Sequence, residues 1–477
     1  MSGLTFTGRR GYGLLLLLLI VAGGALWFVN WWAARPLFLD EANVARNLFD
    51  RSFGGLFLPL DHKQYAPPLY LVAAKACGAW FGYGERALRL PALLGGLAAA
   101  AGLVAAGRRL QLGWWTLLPV ALLFVNPTVL RYVGEIKPYA TDLAVTATLL
   151  AVALPRPRPS AGWAVLGAVA PWLSLPAVFV LAGLPLRAFW TAAASERKRW
   201  LATVAVWLAS FAVLYFTTLA PSVTSPYLSG FHARYFLPLP FAADFSWARL
   251  ADVLLTLPRT AFGFTVLALT VGPAAVLTAV VRAERAVVWP LLLPILITLF
   301  ASAAGRYSLL PRLLLFSLPL WWLLAALGAR QWWRWSGERP FRWAVPVVWL
   351  LLASSTNVAR HYTDPLRFSD ARRLVRDTEA GYTPLLHFSS LPPYDYYHRI
   401  HPAGPRRPAA LPRIADFREN PVAGRYALLY GGLTAPRVRA RMRADSLWAV
   451  AQGATEVRRV DLYRAATLYV TLPNTPP

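Results

Sequence analysis

The chain has 477 residues, of which 57% are hydrophobic and only 15% charged. A soluble protein of this length needs more charge to keep its surface hydrated, so the composition indicates an integral membrane protein. The net charge of +26 comes from arginine clusters in short gaps between apolar runs, which is typical of cytoplasmic loops and does not require a nucleic-acid partner. The single Cys77 excludes an intramolecular disulfide.

Apolar runs suited to crossing about 30 Å of hydrocarbon recur along the chain. The first follows Arg9 and Arg10 and could pass for a signal peptide, but the further hydrophobic segments favour a retained helix. The predicted spanning helices, about eleven in number, are 13–31, 89–106, 114–128, 138–154, 161–174, 175–190, 201–219, 261–281, 286–304, 313–328 and 343–357.

The distribution of Lys and Arg predicts how these helices are oriented. With the N-terminus inside, basic residues are denser in the inner loops than in the outer ones, as the positive-inside rule requires. The outer loops are then 32–88, 129–137 and 220–260. Together with the helices they form a predicted membrane domain over residues 1–357. The last segment, 358–477, also lies outside.

Residues 358–477 have a different composition, with frequent charges and short apolar runs. Residues 383–388, 426–430 and 466–470 are predicted strands, and residues 436–452 a helix. Because strand and helix alternate, we expect a small α/β domain. The predicted fold class is therefore an all-α polytopic membrane bundle with a small C-terminal α/β domain.

Three outer loops carry polar residues that are unusual beside a bilayer. Asp40 and Glu41 follow the first helix. Segment 131–139 lies between two predicted helices and contains Glu135 and Lys137, and segment 305–312 lies between two others and contains two arginines. Carboxylates together with cations suit a reaction on a phosphate-bearing lipid, because cations hold the phosphate and a carboxylate takes a proton or holds a metal ion. The alternatives are an N-cap role for Asp40 and snorkelling of the cations to lipid headgroups.

Several segments, in this order, resemble bacterial membrane glycosyltransferases related to protein O-mannosyltransferases and to aminoarabinose (lipid A) transferases. These segments are the Asp-Glu pair at 40–41, QYAPPLY at 64–70, GERALRLP at 84–91, EIKPY at 135–139 and RLLLFSLP at 312–319. The resemblance extends over about residues 10–330. It implies the GT-C fold and the transfer of a sugar from a polyprenyl-phosphate donor, with inversion, on the periplasmic side of the inner membrane.

The resemblance also implies roles for individual residues. Asp40 matches the family's catalytic acidic residue, which acts as general base on the acceptor hydroxyl or helps to hold a divalent metal ion. Glu41 matches its partner, and Glu135 matches the acidic residue of the second loop. The expected donor-phosphate contacts are Lys137, Arg312, Arg306 and Lys63. The expected substrate contacts are His62, Gln64, Tyr65 and Tyr139.

The implied partners are the donor lipid, membrane lipids and an acceptor on a glycolipid, polysaccharide or protein. The implied location is the bacterial inner membrane, with a cytoplasmic N-terminus and a periplasmic C-terminal domain. A transporter or flippase is the alternative function. It would need charges near the midplane of the helices, but the predicted spans are almost free of charge, with Asp142 as the exception. His398 and His401 lack the Cys/His set of a zinc site, and residues 394–398 could either stack on an acceptor sugar or form domain core.

Overall fold

The chain folds into two compact units. The computed structural model describes residues 6–154, 157–223, 226–241, 245–263, 266–335, 369–400 and 411–474, with single helical residues at 348, 352 and 358. The helical unit comprises Met1–Trp32, Phe53–Ala74 and Arg89–Thr363. The α/β unit comprises Ala33–Ser52, Lys75–Leu88 and Asp364–Pro477.

Helices dominate the chain up to Trp335. They are α1 (Phe6–Trp32), α2 (Leu39–Asp50), α3 (Pro68–Phe81), α4 (Glu85–Arg109), α5 (Leu117–Val125), α6 (Pro127–Tyr132), α7 (Tyr139–Ala153), α8 (Ala161–Leu173), α9 (Ala177–Gly183), α10 (Leu186–Thr191), α11 (Ala194–Leu214), α12 (Ala220–Val223), α13 (Pro226–Ala233), α14 (Trp247–Phe262), α15 (Val266–Arg282), α16 (Arg285–Ala303) and α17 (Leu318–Trp335). Short 3-10 segments cover Gly54–Phe57, Gly113–Thr116 and Pro311–Ser317, and a π-helical turn covers Tyr215–Leu219.

The apolar helices confirm a polytopic membrane protein. Within the described residues, five helical stretches are long and apolar enough to cross a membrane, and five shorter apolar helices accompany them. Large apolar side chains point outward from the long helices, including Leu17 on α1 and Leu208 on α11. Of the predicted helix 343–357, the structure describes only residues 348 and 352, both of them helical.

Several predicted spans are interrupted in the structure. The span predicted at 114–128 ends at Asn126, whose side chain accepts hydrogen bonds from the backbone of Thr128 (3.0 Å) and Val129 (3.1 Å) and so begins α6 at Pro127. Asparagine as N-cap followed by proline at the first helical position is a favourable helix start. The span predicted at 175–190 is divided into α9 and α10, and α14 and α15 are separate helices on either side of Gly263.

Bulky side chains and small residues share the core of the helical unit. Trp27, Trp200 and Trp322 have no exposed surface, and the Trp322 indole donates a 2.8 Å hydrogen bond to the Ala261 carbonyl. A side chain at Gly95 would place its Cβ 3.0 Å from the backbone nitrogen of Thr141, so α4 and α7 approach closely at this point. Small residues at such crossings are typical of packed membrane helices.

The α/β unit is built on a four-stranded sheet. Its strands are β1 (Thr383–Leu386), β2 (Gly424–Gly431), β3 (Glu456–Leu462) and β4 (Ala465–Leu472), in the order β1-β2-β4-β3. Strands β1 and β2 are parallel, with Leu385 beside Leu428, and the other pairs are antiparallel. Helices α18 (Ala371–Arg376), α19 (Leu391–Ile400), α20 (Ile414–Glu419) and α21 (Pro436–Ala451) complete this part of the chain.

The predicted class, a membrane bundle with a small α/β domain, is confirmed. The three predicted strands and the predicted helix at 436–452 are present, whereas β3 was missed because its sequence, EVRRVDL, is charged and mostly exposed. Of the two residues at the predicted boundary 357/358, the structure describes only residue 358. The structure divides the predicted outer loop 32–88, because Ala33–Ser52 and Lys75–Leu88 belong to the α/β unit and Phe53–Ala74 to the helical unit.

Candidate active site

The helical unit brings together two of the segments selected from the sequence. The ammonium group of Lys137 donates a 3.3 Å hydrogen bond to the side-chain carbonyl of Gln64. Next to Gln64, the hydroxyl of Tyr65 lies 3.5 Å from Nε2 of His232. The QYAPPLY and EIKPY segments, 73 residues apart, therefore meet at one place in the fold.

Glu135 is buried and paired with an arginine. It is 4% exposed, and its carboxylate accepts a 2.9 Å hydrogen bond from Nε of Arg131 one helical turn earlier. Burial lowers the pKa of Arg131, but the charge of Glu135, the neighbouring Tyr132 and the hydrogen bond to Glu135 together outweigh burial, so that the pKa is raised. This geometry favours a role for Glu135 in holding Arg131, because a carboxylate engaged by a guanidinium is less available to take a proton.

Arg312 lies among phenol and imidazole groups. Burial and the charge of Glu135 raise the pKa of Tyr132 to about 12, while Arg131 and a hydrogen bond with Arg312 act in the opposite direction. Burial, with the nearby charge of Arg312, lowers the pKa of His232. The guanidinium also lies 5.9 Å from the ring centre of Phe231.

The surroundings of Arg312 are suited to an anion. Tyr132 stays protonated at neutral pH and can donate a hydrogen bond, and Arg312 supplies a permanent positive charge. Tyr139 packs edge-on against Tyr132, with ring centres 4.8 Å apart. A guanidinium with neighbouring hydroxyl donors is a good receptor for a phosphate group.

The remaining predicted residues of the helical unit are more exposed. His62 and Lys63 lie on the surface with left-handed backbone angles, φ of 61° and 56°. Such angles are uncommon for residues with a side chain and are found disproportionately at binding sites. Arg306 is exposed in the turn after α16.

Asp40 and Glu41 belong to the α/β unit, where they occupy the first turn of α2. Helix α2 begins at Leu39 with Phe38 as N-cap, so the alternative N-cap role for Asp40 is wrong. Glu41 is 3% exposed, and its carboxylate lies 3.8 Å from the guanidinium of Arg35. Asp40 is only half-buried, which makes it the more accessible carboxylate of the pair.

Some residues near these groups were not predicted as site residues. Arg131 and Tyr132 lie in segment 131–139, which the sequence analysis singled out. Of this segment, only Glu135, Lys137 and Tyr139 were predicted as site residues. Tyr307, whose hydroxyl donates to the Leu313 carbonyl at 2.7 Å, precedes Arg312 in the same turn. His232 lies on α13, whose sequence carries no recognisable motif, so it could be found only from the structure.

The metal role of Asp40 stays a prediction. Among the residues that the structure describes, no group of three or more His, Cys, Asp or Glu is placed to hold a metal ion. The carboxylate of Glu41 lies 3.8 Å from the guanidinium of Arg35, and the metal role was predicted for Asp40 alone. A Mg²⁺ ion would have to be held by one carboxylate, water and substrate oxygens, which Mg²⁺ accepts.

Together, the bundle of apolar helices and the small α/β unit define a GT-C fold. The structure is similar to the crystal structure of ArnT from Cupriavidus metallidurans in the apo state, with a TM-score of 0.57 and 14% identity over 97% of this chain and 98% of ArnT. It is also similar to ArnT from the same organism bound to undecaprenyl phosphate, with a TM-score of 0.54 and 14% identity over 95% of this chain and 98% of ArnT. No family model matches the sequence. No curated protein matches it either.

Proposed function

We propose that the protein is a glycosyltransferase that moves a sugar from a polyprenyl-phosphate donor to an acceptor hydroxyl, with inversion at the anomeric carbon. The observation that carries this proposal is the set of hydrogen-bond donors around Arg312, in a fold that ArnT shares. One of the ArnT structures is bound to undecaprenyl phosphate, the chemical class of the proposed donor. The acceptor belongs to a glycolipid, a polysaccharide or a protein.

The helical unit supplies the proposed phosphate contacts. Arg312 and Lys137 hold the donor phosphate, Tyr132 adds a neutral donor, and Lys63 and Arg306 add positive charge at the surface. Gln64 fixes the ammonium of Lys137 through the 3.3 Å hydrogen bond. These groups stabilise the negative charge that develops on the leaving polyprenyl phosphate. His62, Tyr65 and Tyr139 are the proposed sugar contacts.

Asp40 is the proposed general base. The acceptor oxygen attacks the anomeric carbon, the bond from that carbon to the phosphate oxygen breaks, and the electron pair leaves with the polyprenyl phosphate. The acceptor proton passes to Asp40, whose half-buried side chain can reach solvent. Glu41, buried beside Arg35, orients the first turn of α2. We place this reaction on the periplasmic face of the inner membrane, with the N-terminus in the cytoplasm.

The experiment that tests this proposal is the transfer of radiolabelled sugar from a panel of polyprenyl-phosphate sugars into cell-envelope fractions. Wild type is compared with Asp40→Asn and with Asp61→Asn, an exposed aspartate of the same sequence region. We expect Asp40→Asn to lower transfer about 10²- to 10⁴-fold, since this is what a general base contributes, and Asp61→Asn to retain it. Transfer by wild type without any effect of Asp40→Asn would contradict the role of Asp40.

A transporter or flippase is the second candidate, and Asp142 is the observation in its favour. This carboxylate is 4% exposed on α7, one of the apolar helices, and buried charges in such helices often mark transport pathways. Movement of a fluorescent polyprenyl phosphate across vesicles containing the purified protein distinguishes the two functions. Lipid movement that depends on Asp142, without sugar transfer from any donor, would favour the transporter.

The proposed metal ion is tested separately by chelation. If Asp40 acts as base without a metal, transfer persists after EDTA treatment and dialysis. If Asp40 holds a divalent ion, transfer is lost and returns when Mg²⁺ or Mn²⁺ is added. The donor panel and the acceptor fraction stay the same in both arms.

A further inference from the structure

The α/β unit holds the segment that carries Asp40 through one helix, α19. This helix has the sequence LPPYDYYHRI, and seven of its ten residues are buried. Four of its polar side chains contact residues 37–50 and 83–85 of the same unit, namely those of Asp395, Tyr396, Tyr397 and Arg399. The sequence left open whether this aromatic cluster touches an acceptor sugar, and the structure places it against the chain around α2.

Asp395 is the centre of the first group of contacts. It has no exposed surface, and its carboxylate lies 2.6 Å from Nε of Arg46 on α2. Arg399, one turn further along α19, donates to both oxygens of Asp395 at 3.0 and 3.1 Å. Arg399 also donates to Asp50 at the C-terminal end of α2. Two consecutive turns of α2 are thus joined to α19, one by the Arg46–Asp395 ion pair and the other by the charge-assisted hydrogen bond to Asp50.

Tyr397 is the centre of the second group. Its hydroxyl accepts a 2.7 Å hydrogen bond from the backbone nitrogen of Leu37 and donates at 2.6 Å to the buried carboxylate of Glu85. Arg372 donates both to Glu85 and, at 2.8 Å, to the Ala34 carbonyl. These bonds fix the chain that leads into α2.

A close packing contact adds to these bonds at the start of α2. Gly432 has a φ of 69°, and a Cβ added there would come within 3.1 Å of the Phe38 ring. Phe38 is the N-cap of α2 and is only two residues from Asp40. Segment 34–50 is therefore held before its helix, at the N-cap, and along its last two turns.

We propose that Asp395 and Tyr397 are positioning residues that set the place and direction of Asp40 by fixing both ends of segment 34–50. The proposal rests on the proposed function, because it assigns the held carboxylate to catalysis. It also gives the α/β unit a role in the reaction, since α19 is the support of the helix that carries the base. Neither residue has to touch substrate for this.

The size of the expected effect follows from geometry. Arg46 lies six residues after Asp40, which is about 9 Å along a helix at about 1.5 Å per residue. A tilt of α2 by a few degrees at Arg46 therefore moves Asp40 by a fraction of an ångström to about 1 Å. A displacement of about 1 Å in a reacting group can lower the rate by about 10²-fold.

The test measures kcat, KM for the donor and polyprenyl-phosphate binding in the purified full-length protein. Asp395→Asn removes the charge, and Tyr397→Phe removes only the hydroxyl. The matched control is Asp445→Asn, since Asp445 is an equally buried aspartate of the α/β unit that is also paired with two arginines but has no described contact to segment 34–50. We expect kcat to fall 10- to 100-fold in the first two variants, with unchanged phosphate binding, and to fall less than 2-fold in the control.

A rescue experiment separates positioning from folding. Asp395→Leu leaves the Arg46 charge buried without this partner, whereas Asp395→Leu combined with Arg46→Met replaces the pair by apolar groups, which buried ion pairs often tolerate. We expect the double variant to regain at least 5-fold in kcat over Asp395→Leu. The proposal is overturned if Asp395→Asn and Asp445→Asn lower kcat equally, or if wild-type kcat persists in Asp395→Asn.

These outcomes are distinct from failure of the proposed function. If wild type transfers no sugar from any donor, the glycosyltransferase proposal fails first. In that case site-specific labels at positions 40 and 61 still report whether Asp395→Asn changes the mobility of α2. Unchanged mobility at position 40 would overturn the positioning role as well.

Discussion

Asp395 and Asp445 are chemically similar but connect different parts of the chain. Both aspartates have no exposed surface. Asp445 accepts from Arg418 at 2.7 Å, from the Tyr430 hydroxyl at 2.8 Å and from Arg441. Asp395 forms an ion pair with Arg46 and accepts hydrogen bonds from Arg399 in a comparable arrangement.

The difference lies in the sequence separation of their partners. The bonds to Asp445 span at most 27 residues, so this cluster ties α20, β2 and α21 together locally. Arg399 of the Asp395 cluster bonds to a residue 349 positions away. A buried aspartate paired with arginines therefore stabilises neighbouring elements at Asp445 and fixes a segment distant in sequence at Asp395. The role of such a buried charge depends on which part of the chain its partners belong to.

The largest expected effect is on stability and concerns both clusters. Truncating Asp395→Ala leaves the buried Arg46 without this partner, and breaking a buried pair in this way costs about 3–5 kcal/mol. Truncating Asp445→Ala should cost less, because the side chains of Arg418 and Arg441 are 27% and 42% exposed and can reach water. The free energy of unfolding of the α/β unit, followed by near-UV circular dichroism in detergent, measures both. A cost below about 1 kcal/mol for either variant would show that its arginines find new partners.

We expect acid to lower the stability of the α/β unit around Asp445, because it protonates His387 in the unfolded chain. This imidazole is buried beside β1 and pairs with the Ser389 hydroxyl at 2.7 Å. Burial, together with Arg441 and Arg437 and against Asp445, lowers its pKa from 6.5 to about 4. The unfolded chain therefore binds a proton that the folded chain excludes, so stability is full above pH 6.5 and falls as the pH drops towards 4.

The loss amounts to at most about 3 kcal/mol for one group with this change in pKa. Unfolding free energies at pH 7.5 and pH 4.5 measure it, with His387→Gln as control. We expect the variant to lose less stability than wild type between these two pH values. An identical pH dependence in both proteins would exclude His387 as the cause.

A smaller, matched comparison uses the two tyrosines that bond to buried carboxylates. Tyr397→Phe and Tyr430→Phe each remove one hydroxyl, at 2.6 Å from Glu85 and 2.8 Å from Asp445. Each variant should lose about 1–3 kcal/mol, because a buried carboxylate is left with one donor fewer. Only Tyr397→Phe should lower kcat, and equal kcat in the two variants would remove the distinction between the clusters.

The smallest effect is expected at an exposed ion pair of the same unit. Arg373 and Asp377 are paired at 2.9 Å, but their side chains are 54% and 33% exposed. Since exposed pairs are screened and contribute little, Arg373→Ala should leave both Tm and kcat within experimental error of wild type. A clear fall in kcat would mean that the assay responds to any change in the α/β unit.

Sequence reasoning succeeded where the signal is local. Long apolar runs predicted the spanning helices, and short apolar runs predicted β1, β2 and β4. The Asn126-Pro127 pair is a helix-start signal that could have predicted the break before α6. Strand β3 could not be found from hydrophobicity, because its side chains are charged and mostly exposed.

Long-range ion pairs set the limit of prediction for the candidate site. The sequence did not predict the hydrogen bond between Lys137 and Gln64. It predicted only that both residues belong to outer loops with candidate site residues. The assignment of segment 33–52 to the α/β unit depends on Arg46, Asp50 and their partners on α19, and no spacing in the sequence reveals such pairs. His232 was missed for the same reason, since its relation to Tyr65 exists only in the folded chain.

The central claim is tested most directly by measuring, in one purified sample, polyprenyl-phosphate binding and single-turnover sugar transfer for wild type, Asp40→Asn and Arg312→Ala. We expect Asp40→Asn to bind the lipid with wild-type affinity and to lose transfer. Arg312→Ala should weaken lipid binding about 10- to 100-fold, because a hydrogen bond to a charged group is lost. Wild-type transfer by Asp40→Asn together with wild-type binding by Arg312→Ala would contradict the account.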